Sequence, residues 1–158
     1  MNVIIRDYWP LFEMYQALRD QAMLLLTDDD LNFSVGGATM TIGQLCREIG
    51  DVEHSYIESF VSFKHDYSLR DPSVDQVGSV AALTAWYAEL DRRLKTTIES
   101  LSDDDLQRVI DRGGDFVLPP RIQLEVYKEA LLIFYGKLSV YLKALGKPLP
   151  NQWQEWIG

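Results

Sequence analysis

The sequence contains little cysteine, little histidine and no long apolar run. Cys46 is the single cysteine among 158 residues, which excludes an internal disulfide and a multi-cysteine zinc site and favours a reducing cytoplasm. No apolar stretch approaches the roughly 18 residues of a membrane-spanning helix, and no secretory segment is expected at the N-terminus. Nucleophile elbows, glycine-rich phosphate loops, H-E-x-x-H and paired C-x-x-C motifs are also absent.

Basic residues are scarce as well. The chain has 15 lysines and arginines against 24 aspartates and glutamates, and its net charge is −9. Because no basic stripe occurs, we expect the protein to bind neither nucleic acid nor an anionic membrane. Hydrophobic residues make up 47% and charged residues 25% of the chain, a composition typical of a globular protein. The length predicts a single domain over residues 1–158.

What the sequence does contain is helical periodicity, in four long segments. The predicted helices begin near Pro10, Thr41, Ser79 and Pro120 and end near Leu26, Phe63, Leu101 and Leu145. Thr41 opens a T-I-G-Q capping box. Gly146 is expected to adopt the left-handed backbone conformation that ends the fourth helix. The pattern predicts an all-α fold, an antiparallel four-helix bundle. The connections at 27–40, 64–78 and 102–119 are long for a bundle, and loops of this length tend to be functional or to contain a short helix.

Two acidic turns repeat the same pattern after a helix. They read L-T-D-D-D-L at 26–31 and L-S-D-D-D-L at 101–106. Three carboxylates favour a divalent-metal loop, but calcium loops space their acids at alternate positions around a central glycine, which neither turn has. We therefore favour short helical turns capped by Thr27 or Ser102, with acids placed favourably for the helix dipole.

The two histidines and the cysteine have non-catalytic interpretations. His54 lies two positions past Val52 and so is turned off the apolar stripe of its helix, which predicts an exposed or rim position rather than a metal ligand. His65 lies where the helix ends, and there it can ease the helix dipole. Cys46 is expected to be a buried, inert thiol, the alternative being a reactive one.

Glu48 is the carboxylate that stands out. It follows Leu45 by three residues and precedes Val52 by four, so that it borders the buried face of the second helix. One interpretation is a rim acid whose head group reaches solvent or an arginine. The other is a polar group that lines an interior pocket, where desolvation would make it chemically useful.

Three segments of the chain together resemble a known family. They are T-I-G-Q-L-C-R-E-I-G-D-V-E-H-S-Y-I in the second helix, S-V-A-A-L-T-A-W-Y-A-E-L-D-R-R-L-K-T-T-I-E-S-L-S-D-D-D-L in the third, and F-Y-G-K-L-S-V-Y-L-K-A-L-G-K-P-L-P in the fourth. In this order and spacing they are similar to segments of the DinB-like, or YfiT-like, four-helix bundle superfamily. The resemblance extends from about Pro10 to Pro150 and implies the same bundle fold.

The resemblance also implies a divalent metal held by three histidines, one on the second helix and two on the fourth. The corresponding residues of this chain are Glu48, Ala130 and Phe134. Alanine and phenylalanine offer no donor atom, and a lone carboxylate cannot hold zinc, which takes three or four ligands. We therefore predict that the metal site is lost and that no cofactor is bound. The residues predicted to line the remaining space are Glu48, Tyr127, Ala130 and Phe134.

Two functions of different classes remain open. The first is a small-molecule-binding or interaction protein without catalytic residues, of unknown ligand, with a stress-related role as one option. The second is an enzyme of the thiol-transferase or hydrolase type that the resemblance implies, working without its metal or with a relocated one. If Phe134 fills the space beside Glu48, the bundle is inert; if a small pocket remains, it binds an organic ligand.

The fourth helix has apolar residues on two faces. One face carries Tyr127, Phe134, Leu138, Tyr141 and Leu145, and the other carries Val126, Ile133 and Val140. One stripe suffices for the core of a bundle, so the second needs cover from a loop, from the segment Trp153–Trp156 or from another subunit. We expect a two-fold homodimer, which the resemblance also implies.

Overall fold

The chain forms six α-helices in a computed structural model that describes residues 1–73 and 78–158. The helices are α1 (Trp9–Met23), α2 (Ile42–Ser62), α3 (Val80–Glu99), α4 (Asp103–Gln107), α5 (Pro120–Ala144) and α6 (Asn151–Trp156). A π-helical turn at Ile4–Tyr8 precedes α1, a 3-10 turn at Asp29–Asn32 precedes α2, and strands β1 (Ile110–Asp111) and β2 (Val117–Leu118) pair antiparallel. Residues 74–77, within the connection predicted at 64–78, lie outside the described residues.

Helices α1, α2, α3 and α5 are the four predicted helices, and each begins where the sequence places a start signal. The Thr41 side chain accepts from the Gln44 N–H while the Gln44 side chain accepts from the Thr41 N–H, which completes the predicted capping box. Ser79 caps α3 through the Ala82 N–H, and Pro120 opens α5. The prediction of an all-α four-helix bundle is confirmed.

The four long helices do not alternate in direction around the bundle, so the antiparallel packing predicted for the bundle holds for two of its four neighbouring helix pairs. Helix α1 packs on α3 and α5, and α2 packs on the same two helices, so that α1 and α2 lie on opposite corners. Tyr8, just before α1, accepts from Arg121 at the start of α5, which makes these two helices parallel. The Tyr87 hydroxyl in α3 donates to the Cys46 carbonyl near the start of α2, and these helices are parallel as well. Antiparallel contacts therefore join α1 to α3 and α2 to α5.

The parallel arrangement of α2 and α3 explains why the connection between them is long. The chain leaves α2 at one end of the bundle and starts α3 at the other, so residues 63–73 return along the outside of α2. Arg70 of this segment lies 3.7 Å from the Asp51 carboxylate. The Asp71 carbonyl accepts from Arg47, one turn closer to the start of α2. We call residues 63–73 the returning segment.

The core lies between α1, α2, α3 and α5. Apolar residues recur at three- and four-residue steps along α3 and just after it and form a seam that is buried throughout, namely Leu83, Tyr87, Leu90, Leu94, Ile98 and Leu101. Helix α6 covers one side of the bundle, because the Trp153 indole is buried and donates to the Leu18 carbonyl. Cys46 is buried as predicted, and burial raises the pKa of its thiol to about 12, which keeps the thiol unreactive at neutral pH.

The two acidic turns are capped helical turns, as predicted. Asp30 Oδ2 accepts from the Thr27 backbone N–H at 2.7 Å, and Asp105 Oδ2 accepts from the Ser102 hydroxyl at 2.7 Å. Within residues 1–73 and 78–158, no group of three or more histidine, cysteine, aspartate or glutamate side chains could hold a metal ion. In the same residues no helix is long and apolar enough to cross a membrane.

Gly50 lets Trp86 of α3 pack directly on α2. A Cβ atom at position 50 would lie 2.2 Å from two carbons of the Trp86 ring, far inside van der Waals contact. Trp86 is buried and its Nε1 donates to Asp71 Oδ2 at 3.0 Å, so the ring cannot move without releasing the returning segment. We expect Gly50→Ala to lower the free energy of unfolding, measured by urea titration, by about 2–3 kcal/mol.

A double-mutant cycle identifies the cause of this loss. Trp86→Leu removes the ring atoms near position 50, and in that background Gly50→Ala is expected to cost less than about 1 kcal/mol. An equal loss in both backgrounds would contradict the explanation by steric overlap.

Candidate functional site

A groove of about 600 Å³ runs along the first half of α2, between that helix, the 3-10 turn and the returning segment. Its apolar lining includes Leu31, Met40 and Val52, and its charged lining comprises Arg47, Glu48, Asp51 and Arg70. Arg47 Nε donates to Asp51 Oδ2 at 2.9 Å, and Arg70 approaches the same carboxylate. The groove therefore offers apolar surface together with charges of both signs, a lining suited to an amphipathic molecule.

A smaller crevice of about 130 Å³ opens between α2 and α5 beside this groove. The crevice is lined by Glu48, Ile49, Val52, Ala130, Phe134 and Lys137, of which Glu48 and Val52 also line the groove. Three of the four residues predicted to line a pocket thus surround one space. Phe134 is buried but does not fill this space, and Ala130 is half-buried, while Glu48 is exposed at the opening.

Tyr127, the fourth predicted residue, does not line the crevice. Its ring is fully buried in the centre of the bundle, in contact with the rings of Phe12 and Tyr56. Its hydroxyl lies near Glu53 rather than Glu48. The reason is that α5 packs on α1 as well as on α2, and Tyr127 lies between these two helices, against Phe12 of α1 and Tyr56 of α2.

The interior carboxylate is Glu53 and not Glu48. The two residues lie five positions apart on α2, which separates their side chains by about 140° around the helix. Glu48 is exposed and Glu53 is fully buried. A sequence signal for this burial exists, because Glu53 follows Ile49 by four residues and precedes Tyr56 by three, which places it on the apolar stripe. A glutamate is rarely buried without a partner of opposite charge, and no local sequence pattern identifies the partner of Glu53.

Arg19 of α1 is that partner, and its side chain is fully buried. Its Nη1 donates to Glu53 Oε2 at 2.7 Å, and its Nη2 donates to Asp91 Oδ1 of α3 at 2.6 Å. The guanidinium also lies 4.2 Å from the centre of the Tyr87 ring. Burial raises the pKa of Glu53 even though Arg19 opposes the shift. One arginine thus joins three helices through charge-assisted hydrogen bonds.

A second polar network surrounds His65, near the end of α2. The ring is buried and stacks on Tyr67, with the two ring centres 4.1 Å apart. The prediction that His65 eases the helix dipole is wrong, because burial and the nearby Arg112 lower its pKa to about 4. The ring is therefore neutral at neutral pH and has no positive charge that could interact with the helix dipole.

The hydrogen bonds determine which ring nitrogen of His65 carries the proton. Ser55 Oγ donates to the Val52 carbonyl at 2.7 Å and so accepts from His65 Nε2 at 3.1 Å. The Gln123 amide nitrogen donates to His65 Nδ1 at 3.1 Å, while Gln123 Oε1 accepts from Arg112 at 2.5 Å, which fixes the amide orientation. Because Nε2 holds the proton, His65 cannot take a proton from Ser55, and the two residues do not form a nucleophilic dyad.

His54 is also buried, and the exposed or rim position predicted for it is wrong. The returning segment and α3 cover it, since Asp71 Oδ2 lies 3.9 Å and Arg93 Nη2 lies 3.3 Å from its Nδ1. Burial opposes ionisation of Asp71, but hydrogen bonds from Ser73 and Trp86 outweigh it and lower the pKa of Asp71 to about 2. Helix periodicity cannot predict a cover that comes from another part of the chain.

The sequence from α1 to the middle of α5 matches a family model. This model, of the DinB superfamily, matches residues 12–133, which is most of the chain. The chain therefore belongs to the DinB superfamily, as the resemblance of its helix segments implies. Among curated proteins there is no significant match.

Solved structures share the fold at low sequence identity. A DinB-like protein from Bacillus cereus ATCC 10987 has a TM-score of 0.74 and 15% identity, over 90% of this chain and 93% of that one. The DinB-like protein YjoA of Bacillus subtilis has a TM-score of 0.69 and 16% identity, over 86% and 90% of the two chains. YfiT from Bacillus subtilis, described as a probable metal-dependent hydrolase with an unusual four-helix bundle topology, has a TM-score of 0.69 and 16% identity, over 94% and 91%. At these identities the likeness shows the fold.

The residues around the crevice do not fit the three-histidine metal site that the resemblance implies. Ala130 and Phe134 carry no donor atom, and zinc takes three or four ligands. Glu48, the one possible donor of the three, is exposed at the opening. Lys137 adds a positive charge to the same crevice, which opposes the binding of a cation.

Proposed function

We propose that the protein binds a small organic molecule in the crevice and groove beside α2, without a metal. The observation that carries the proposal is that Glu48, Ala130 and Phe134, at the positions the resemblance assigns to metal ligands, surround a crevice of about 130 Å³. This crevice lies beside the groove of about 600 Å³ and shares Glu48 and Val52 with it. Sites for small organic ligands commonly enclose about 300–1,000 Å³.

The lining favours a ligand with an apolar part and an ionised group. Phe134 is buried and Val52 is half-buried, so both offer apolar contact inside the crevice. Glu48 and Lys137 are exposed beside it, and Arg70 lies on the returning segment across the groove. Burial of the apolar part supplies affinity, while the few charged groups orient the ligand. We place this binding in the cytoplasm, because the single cysteine needs no oxidising compartment.

Filling the crevice tests the proposal. We expect 8-anilinonaphthalene-1-sulfonate, an anion with apolar rings, to bind the wild-type protein saturably, with an increase in its fluorescence. Ala130→Trp places an indole in the crevice and is expected to weaken binding of the dye by about tenfold, which is about 1.4 kcal/mol.

The matched control is Ala144→Trp, an exposed position on the same helix, which is expected to leave dye binding unchanged. Circular dichroism checks that both variants are folded, and Ala130→Leu serves as a milder filling substitution. Wild-type affinity in folded Ala130→Trp and Ala130→Leu would refute binding in the crevice.

An enzyme of the hydrolase or thiol-transferase type is the second candidate. The likeness to YfiT, described as a probable metal-dependent hydrolase, favours this alternative. On this chain such an activity requires a metal held at other residues or no metal, because Ala130 and Phe134 lack donor atoms. Ester hydrolysis that increases with added zinc or manganese would favour the enzyme over the binding protein.

A further inference from the structure

A second groove, of about 420 Å³, lies beside the crevice between α2 and α5. We call it the apolar groove, because Lys137 is the single charged residue in its lining. The uncharged residues of the lining are Val35, Thr39, Met40, Leu45, Val140 and Tyr141. Lys137 lines the crevice as well, so the two spaces lie side by side and share this residue.

The segment that forms one wall of the apolar groove is fixed by hydrogen bonds. The Tyr141 hydroxyl of α5 donates to the Met40 carbonyl at 2.8 Å. The Thr39 hydroxyl donates to the Gly36 carbonyl at 2.8 Å, which closes the turn before α2. The groove is therefore largely formed before a ligand arrives, and this lowers the entropic cost of binding.

The crevice next to the apolar groove carries one charge of each sign. Glu48 of α2 and Lys137 of α5 both line it, and both are exposed. Within the described parts of the chain neither of them has an ion-pair partner, and they do not pair with each other. The other charges of the larger groove are engaged, since Asp51 accepts from Arg47 and lies 3.7 Å from Arg70. Glu48 and Lys137 are thus available to a ligand that carries both charges.

The positions of these residues along α2 and α5 separate the charges from the apolar lining by about one helical turn. Leu45 precedes Glu48 by three residues, and Val140 follows Lys137 by three. Three residues advance about 4.5 Å along a helix. Because α2 and α5 are antiparallel, Leu45 and Val140 lie toward one end, and the two charged residues lie toward the other. A short ligand can therefore place two charges in the crevice and an apolar group in the apolar groove.

We infer that the crevice and the apolar groove together bind an apolar α-amino acid. Such a molecule carries an ammonium and a carboxylate group on one carbon atom, which match Glu48 and Lys137, and its side chain reaches the apolar groove. The inference rests on the proposed function, because it names the ligand class of the same site and adds the apolar groove to that site. Burial of the side chain supplies affinity, and the two charge-assisted hydrogen bonds select the zwitterion.

L-phenylalanine and two analogues with the same ring test the need for both charges. The analogue 3-phenylpropionate lacks the ammonium group, and 2-phenylethylamine lacks the carboxylate. In titration calorimetry we expect the wild-type protein to bind L-phenylalanine about tenfold more tightly than either analogue, because each analogue gives up one charge-assisted hydrogen bond. L-alanine keeps both charges but has no ring, and we expect it to bind about tenfold more weakly than L-phenylalanine.

Single substitutions assign each ligand charge to a residue. Lys137→Met is expected to weaken binding of L-phenylalanine about tenfold without weakening that of 2-phenylethylamine, which has no carboxylate. Glu48→Gln is expected to weaken binding of L-phenylalanine about tenfold without weakening that of 3-phenylpropionate, which has no ammonium group. Both side chains are exposed, so neither substitution disturbs the core. The matched control is Lys143→Met, which removes another exposed lysine of α5 and is expected to leave all these affinities unchanged.

The dye experiment separates the ligand class from the site. L-phenylalanine is expected to displace 8-anilinonaphthalene-1-sulfonate from the wild-type protein. If Ala130→Trp weakens dye binding but L-phenylalanine binds no more tightly than its analogues, the site stands and the amino-acid ligand is wrong. If neither the dye nor L-phenylalanine binds, the proposed function fails together with this inference. A preference for L-phenylalanine that persists in both Lys137→Met and Glu48→Gln would also overturn the inference.

Discussion

Arg19→Met is expected to lower the free energy of unfolding by about 3–5 kcal/mol, the largest effect predicted for this protein. The substitution removes the only cation from a cluster in which Glu53 is fully buried and Asp91 is largely buried. Breaking a buried ion pair by removing one partner leaves an uncompensated charge in the interior, and losses of this size follow. Methionine is flexible and apolar and fills much of the space that the arginine leaves. Most of the expected loss of stability therefore comes from the missing charge and not from poorer packing. Urea unfolding at neutral pH measures the effect.

Two further variants separate the buried cluster from a general effect of losing an arginine. Arg19→Met/Glu53→Met removes both fully buried charges and is expected to recover most of the stability. Arg92→Met removes an exposed arginine that pairs with Glu89 on the surface of α3 and is expected to leave stability nearly unchanged. If Arg19→Met behaved like Arg92→Met, the cluster would not be what holds α1, α2 and α3 together.

Acidification from pH 6.5 to pH 4 is expected to reduce stability by up to about 3 kcal/mol through His65 alone. Burial lowers the pKa of His65 in the folded protein from 6.5 to about 4, and one pKa unit corresponds to about 1.4 kcal/mol. Between these two values the unfolded chain binds a proton that the folded protein excludes, so stability falls as the pH falls. Above pH 6.5 both states hold a neutral imidazole and this contribution is fully present.

A comparison with His65→Gln isolates the contribution of the histidine. Carboxylates also titrate in this range, and the raised pKa of Glu53 acts in the opposite sense, but both proteins share these groups. The free energy of unfolding from urea titrations at several pH values is therefore expected to fall more steeply with acid in the wild type than in His65→Gln. Parallel curves would mean that His65 titrates normally in the folded protein.

The fold could be predicted from the sequence as far as local signals reach. The capping box at Thr41, the serine at Ser79 and the proline at Pro120 act on neighbouring backbone groups, and the helices begin at these residues. Periodicity identifies the buried seam of α3 for the same reason. The direction of one helix relative to another is not a local property. The parallel packing of α2 on α3, and with it the path of the returning segment, could therefore not be predicted.

The candidate site was predictable only in part. Glu48, Ala130 and Phe134 follow from the correspondence with a family motif, and they surround one crevice. The pair formed by Arg19 and Glu53 spans 34 positions of the chain, and each charge taken alone argues against a place in the core. Only the fold shows that each charge is the reason why the other can be buried.

The claim that this DinB-superfamily protein works without a metal is tested most directly by elemental analysis of untagged protein. The matched control is the triple variant Glu48→His/Ala130→His/Phe134→His, which returns three imidazoles to the crevice and is expected to take up about one equivalent of zinc. The wild-type protein, purified and dialysed alongside it, is expected to contain no stoichiometric zinc, nickel, manganese or iron. Near one equivalent of any of these metals in the wild type would contradict the claim.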